Sequence, residues 1–166
     1  SGGGGMILTN DPSLAKRAKH ITTTAKQQHS WAFVHDEIGF NYRMPNLNAA
    51  LGLAQLEMLP KILNSKKQVA EKYYQWCQQH KVNMIRDSAG VESNAWLNAF
   101  ILNNKVERDK FLEKTNQCGV MTRPVWEPMH RLKVFEACVK TDLSNTEWLA
   151  DRVVNIPSSA VNIIPQ

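Results

Sequence analysis

Cysteine is scarce, and what there is does not cluster. Cys77, Cys118 and Cys138 form no CxxC pair, which excludes a disulfide framework and a zinc site of ordinary spacing. The five histidines, His20, His29, His35, His80 and His130, make no HExxH or His-rich tract, so no metal site is expected. No GxGxxG or GxxxxGK[ST] spacing occurs, which removes the usual phosphate-cradling loops. No run approaches the roughly 18 apolar residues of a membrane span, and the first residues show no signal-peptide pattern. Reduced thiols and the lack of a span lead us to expect a soluble, cytoplasmic, unexported protein. Charge of one sign is only mildly in excess: 20 Lys+Arg against 15 Asp+Glu leave a formal +5. The basic residues are spread out and no basic run is interleaved with aromatics, so a membrane surface or nucleic acid is not expected as partner. A phosphate-bearing ligand is compatible with that charge.

What remains is an ordinary globular composition, 43% hydrophobic and 21% charged over 166 residues. A chain of this size buries roughly 68–70% of the surface its unfolded form exposes, so a core needs no staples. Ser1-Gly2-Gly3-Gly4-Gly5 reads either as an appended flexible linker or as a native turn. Met6-Ile7-Leu8-Thr9 suits a short buried strand, and Asn10-Asp11-Pro12 supplies an N-cap with proline at the first helical position, predicting a helix over 12–20. Residues 21–46 show no sustained periodicity. An irregular stretch that long inside a domain is a place to look for a site. A strongly apolar helix follows over 46–59, expected to be buried on most faces. Pro60 either kinks it or starts a second helix, giving one long bent element to about residue 80. Strands are predicted over 82–85, 96–102 and 120–125, with a helix over 106–118 stopped by Gly119. Ser144-Asn145-Thr146-Glu147 has capping-box form and should open a last helix reaching Val153, before a tail at Ile156-Pro157. The expected fold is α+β: a small sheet with packed helices and a long bent helix.

Three segments carry candidate chemistry. In His35-Asp36-Glu37 an imidazole lies beside two carboxylates, either an acid/base group or, more simply, a loop held by side-chain hydrogen bonds. In Gly39-Phe40-Asn41-Tyr42-Arg43-Met44-Pro45-Asn46, the Asn41 amide and the planar Arg43 fork either grip a phosphorylated ligand or satisfy a turn and nearby carbonyls. In Arg123-Pro124-Val125-Trp126-Glu127-Pro128-Met129-His130, Trp126 is suited to stacking on a base or sugar and His130 to a hydrogen bond with an anion or hydroxyl. Core packing and loop fastening are the plainer roles for these two.

Together with Gly2-Gly3-Gly4-Gly5-Met6-Ile7-Leu8-Thr9-Asn10-Asp11 and Asn48-Ala49-Ala50-Leu51-Gly52-Leu53-Ala54-Gln55-Leu56, the last two of these segments resemble, in order, the C-terminal part of the DegT/DnrJ/EryC1/StrS sugar aminotransferases. Thr22-Thr23-Thr24-Ala25-Lys26 and Phe33-Val34-His35-Asp36-Glu37 look most like the branch that makes 4-amino sugars of bacillosamine and legionaminic acid type. The resemblance implies a fold-type I, pyridoxal phosphate (PLP)-dependent homodimer that moves an amino group from glutamate to a 4-keto nucleotide sugar. It implies a remnant of the large domain over 1–45, connecting helices over 46–80 and a small α+β domain over 81–166. Asn41 matches the asparagine that reaches the partner subunit's PLP phosphate, and Arg43 shares its loop. Trp126 and His130 correspond to a segment lining the sugar-nucleotide cleft. The family lysine that holds PLP precedes the Gly-rich turn, and neither Lys26 nor Lys61 occupies its place, so a truncated and catalytically incomplete portion is expected. The alternative is a stand-alone dimerisation or partner-binding module derived from that family.

Overall fold

The structure is a computed structural model that describes residues 1–161, so the end of the small domain expected over 81–166 lies outside the described residues. The chain divides into two compact units, Ser1–Leu59 and Pro60–Gln166.

In the first unit, helix α1 (Pro12–Thr22) starts where the local chemistry puts it. Asp11 Oδ1 accepts from the backbone N–H of Ser13 at 2.8 Å and of Leu14 at 3.2 Å, and Pro12 lacks only a donor that the first turn does not use. The chain then doubles back irregularly, as its lack of periodicity predicts. The N–H of Phe40 donates to Ile21 O at 2.7 Å, that of Tyr42 to Thr22 O at 2.9 Å and that of Thr24 to Phe40 O at 2.9 Å. These bonds hold the isolated bridge Thr23↔Asn41, and a second bridge joins Lys26 and His35. Thr24 and Ala25 have positive φ (74° and 48°), a conformation that non-glycine residues adopt only when their surroundings impose it.

Two expectations fail in this unit. Residues 6–9 form no strand, and Leu8 is 83% exposed, because no described strand lies alongside to take their backbone groups. Helix α2 (Asn46–His80) forms and passes through Pro60 as one helix, but its apolar beginning is not buried. Leu47 is 82% exposed and Leu53 and Leu56 are each 60% exposed, since nothing among the described residues covers them.

The second unit holds a four-stranded sheet in the order β1-β2-β4-β3, from β1 (Asn83–Met84), β2 (Asn98–Ile101), β3 (Arg123–Pro124) and β4 (Val153–Ile156). Every pairing is antiparallel, with Phe100 opposite Val154 and Pro124 also opposite Val154. The core gathers Cys77 from the later part of α2 with Phe100 and Ile156, flanked by Tyr73, Met84 and Phe111. Phe100 packs edge-on against Tyr73 and Phe111, at 6.1 and 6.3 Å between ring centroids, and stacks with Trp76 at 6.1 Å. Helix α3 (Lys105–Gln117) is capped by Asn104, whose side-chain oxygen accepts from Glu107 N–H at 3.0 Å, and stops before Gly119 at φ 77°.

Helix α4 (Ser144–Ala150) starts where expected but without the capping box: its N-cap is Leu143, with no side-chain cap. Val153 belongs to β4, not to the helix, and Ile156, expected to begin a tail, is the last residue of this strand between β2 and β3; Pro157 lies beyond it. A β-branched run of this length is settled by its cross-strand partners, which lie far away in sequence. The strand expected over 120–125 contracts to Arg123–Pro124.

Candidate functional site

The loop before α2 brings Asn41 and Arg43 together. Arg43 Nη1 donates to Asn41 Oδ1 at 3.2 Å, and Nη2 donates to Thr23 O at 2.9 Å. The guanidinium is thereby oriented through two nitrogens while further N–H groups remain to donate, and Asn41 keeps its amide nitrogen for an external acceptor. Phe40 and Tyr42 stack at 5.3 Å on either side of Asn41 in sequence. Arg43 also lines a cleft of about 900 Å³ with Lys19, Tyr42, Met44, Asn48 and residues 3–9; Asn41 is not in that lining. Asn48 Nδ2 donates to Ser1 O at 2.7 Å and fastens the glycine run to α2. Gly39 lies against the strained turn: a Cβ there would stand 2.5 Å from Ala25 N and from Thr24 C.

The residues of 35–37 form a fastened loop. His35 Nδ1 meets Thr24 O at 2.6 Å, His20 Nε2 lies 2.7 Å from Asp36 Oδ1, and Arg17 engages both oxygens of Glu37, with Nη2 at 2.6 Å. The His20 hydrogen bond holds the Asp36 carboxyl below its ordinary range, and the Arg17 bond does the same for Glu37. Atoms of His20, Asp36 and Glu37 lie within 4.8 Å of one another, a spacing that could ligate a metal, but Arg17 already neutralises Glu37 there. Sequence reasoning missed His20 and Arg17, which sit on α1 and gave no signal of partnership with residues beyond the turn.

In the second unit, Trp126 is 74% exposed and lies 6.4 Å from Trp96, ring centroid to centroid. These two line a cleft of about 750 Å³ with Arg123, Pro124, Asn155 and Ser158. Two indoles tilted 31° to each other beside a guanidinium can take a planar ring on one face and a polar or anionic substituent at its edge. Trp96 had not been singled out from the sequence. His130 does not line this cleft: its ring nitrogen Nε2 is bonded to Glu147. No helix of the described residues is long and apolar enough to cross a membrane.

The DegT/DnrJ/EryC1/StrS aminotransferase family model matches residues 1–161. GDP-perosamine synthase of Escherichia coli O157:H7 is 32% identical over 159 residues, covering 95% of this chain and 43% of that protein. A putative pyridoxal phosphate-dependent aminotransferase, EpsN of Bacillus subtilis, is 27% identical over 163 residues, covering 95% and 42%. Among solved structures, Helicobacter pylori PseC, an aminotransferase involved in the biosynthesis of pseudoaminic acid, superposes with a TM-score of 0.81 at 18% identity, over 92% of this chain and 43% of that one. TlmJ, an aminotransferase of Streptoalloteichus hindustanus, gives 0.79 at 22%, over 90% and 41%. These likenesses show the α+β fold, and the chain spans under half the length of the curated relatives it matches.

Proposed function

Because these 166 residues belong to the DegT/DnrJ/EryC1/StrS aminotransferase family, we propose that they make up the cofactor-phosphate and sugar-nucleotide portion of a PLP-dependent transaminase that acts on a 4-keto nucleotide sugar. The observation that carries this is the Asn41–Arg43 pair. Its fork is oriented by the Thr23 carbonyl and its remaining donors are all N–H groups, the chemistry that a phosphate dianion accepts. The donor set therefore fits the cofactor's phosphate. PLP, when bound, supplies the electron sink through which an amino group passes between donor and acceptor. This chain's own part is to hold and orient: Asn41 donates through its amide, Arg43 supplies positive charge, and Trp126 offers its face to the nucleotide. In this reading the loop serves the cofactor phosphate held by the partner subunit of the complete enzyme, and the exposed leucines of α2 belong to the homodimer.

In this proposal the 166 residues do not transaminate on their own, because neither Lys26 nor Lys61 occupies the place of the family's cofactor-bearing lysine. Lys26 is spent over the Phe33 ring at 3.9 Å. Burial lowers the pKa of Lys66, which would favour a nucleophile, yet its ammonium donates to Ser158 O at 2.5 Å and to Trp96 O at 3.2 Å.

A chimera joining these residues to the part of E. coli GDP-perosamine synthase that they do not match tests the phosphate role. It should retain PLP through gel filtration, followed by cofactor absorbance. Replacing Asn41 by alanine, or Arg43 by alanine, should weaken retention about 10- to 100-fold, the worth of one charge-assisted hydrogen bond. Retention unchanged in both variants would remove the assignment.

A further inference from the structure

Glu147 sits where a capping box would use it, yet it does not cap α4. Its carboxylate instead accepts from the His130 ring and from two nitrogens of Arg131, Nε at 3.2 Å and Nη2. Arg131 also donates through Nη1 to Glu127 Oε1 at 3.2 Å, and its Nη2 lies 3.6 Å from Asp151 Oδ1. A capping glutamate would reach back to its own N-cap backbone; here charged donors from another segment take it, and such bonds are about twice as strong as neutral ones. Arg131 and then His130 hold the Glu147 carboxyl down to about 2, so that carboxylate stays ionised through the ordinary pH range.

The consequence falls on Trp126. The 125–131 segment is fixed at both ends by one supersecondary unit, α4 followed directly by β4. Before Trp126, β3 pairs with β4, and Asn155 Nδ2 lies 3.4 Å from Pro124 O. After Trp126, the 3-10 turn Met129–Arg131 is pinned by Glu147. Trp126 itself is mostly exposed and has no burial to hold it, so the two anchors set where its ring stands. We propose that Glu147 is a positioning residue: by holding His130 and Arg131 it fixes the loop so that Trp126 stands against Trp96 as a wall of the nucleotide cleft. The proposal rests on the nucleotide reading of that cleft, and it gives His130 a part in the site through the loop.

The test is fluorine NMR of the 166-residue chain labelled with 5-fluorotryptophan, its signals assigned by Trp126→Phe, Trp96→Phe and Trp76→Phe, with GDP as the probe ligand. In Glu147→Gln the Trp126 signal should move and broaden while the Trp76 signal, from a ring on α2 stacked against Phe100, stays put. The GDP dissociation constant should rise about tenfold, the scale of one lost aromatic contact. Glu127→Gln, which leaves Glu147 in place, should move Trp126 far less. An unmoved Trp126 signal in a folded Glu147→Gln protein overturns the proposal whatever GDP does. A Trp126 signal that moves in a chain whose wild type does not bind GDP supports the anchoring and overturns the nucleotide reading. Should Glu147→Gln unfold, Arg131→Lys, which keeps the charge but loses the fork, gives the same readout.

Discussion

Replacing Phe100 by alanine should destabilise the Pro60–Gln166 unit by about 3–5 kcal/mol, the cost of deleting a buried aromatic ring and leaving a cavity. Phe100 is 7% exposed and touches Tyr73 and Trp76 from α2 and Phe111 from α3. Among the described residues no other side chain meets both helices through rings, so the sheet loses a ring contact with each helix at once. Small cavities collapse when neighbours relax, but strand β2 is held in register on both sides, by β1 and by β4, which limits relaxation. For a chain of this size the loss lowers the thermal midpoint by on the order of 10 °C. Urea unfolding followed by near-ultraviolet dichroism measures it, because the aromatic cluster generates that signal. A loss below about 1 kcal/mol would mean that the ring is not the centre of the core.

The second large effect is expected at Gly39, where alanine should cost about 1–3 kcal/mol and act locally. The added Cβ would stand 2.5 Å from Ala25 N and Thr24 C and 2.9 Å from Ala25 Cβ. Two of these are backbone atoms of a turn already at positive φ, so they cannot swing aside as a side chain would. The turn would have to shift, and with it the bonds from Thr24 to Phe40 O and from Tyr42 to Thr22 O that carry Asn41 and Arg43. Amide hydrogen exchange at Thr24, Phe40 and Tyr42 should quicken about tenfold or more, since each 1.36 kcal/mol is a factor of ten. Gly5→Ala is the control: a Cβ there meets nothing within 4 Å. Equal exchange in the two variants would separate Gly39 from the site.

The parts of the fold that local chemistry decides were legible in the sequence. Asp11 and Pro12 announce α1, and Gly119 at φ 77° marks the end of α3, because caps and left-handed turns depend on residues a few positions apart. Strand β4 was not legible: Val153-Val154-Asn155-Ile156 becomes a strand by pairing with β2 and β3, and nothing within the segment distinguishes that from a helix end or a tail. The capping box misled for a related reason. Its glutamate was read by spacing, while the outcome depends on Arg131 and His130 arriving from 16 and 17 residues away. The apolar run at 6–9 likewise marks a strand only if another strand is present to pair with it.

The candidate site divides the same way. Asn41 and Arg43 are two residues apart, so their meeting follows from the loop itself. The pairing of His20 with Asp36, of Arg17 with Glu37 and of Trp96 with Trp126 depends on how the chain returns, which no motif records. The Asn41–Arg43 pair, proposed to grip phosphate, is thus a sequence-level feature, whereas the walls around each cleft are consequences of the fold.

The most direct measurement is reductive trapping: mix the 166-residue chain with PLP, reduce with borohydride and map any modified lysine by peptide mass analysis. The expected result is low, scattered modification with no lysine labelled in stoichiometric yield, because the role proposed for these residues is to hold phosphate and nucleotide, and Lys26 and Lys66 are each engaged by other groups. A single lysine labelled to one equivalent, with Lys66 the first to inspect, would contradict this and make the chain a cofactor-bearing protein in its own right.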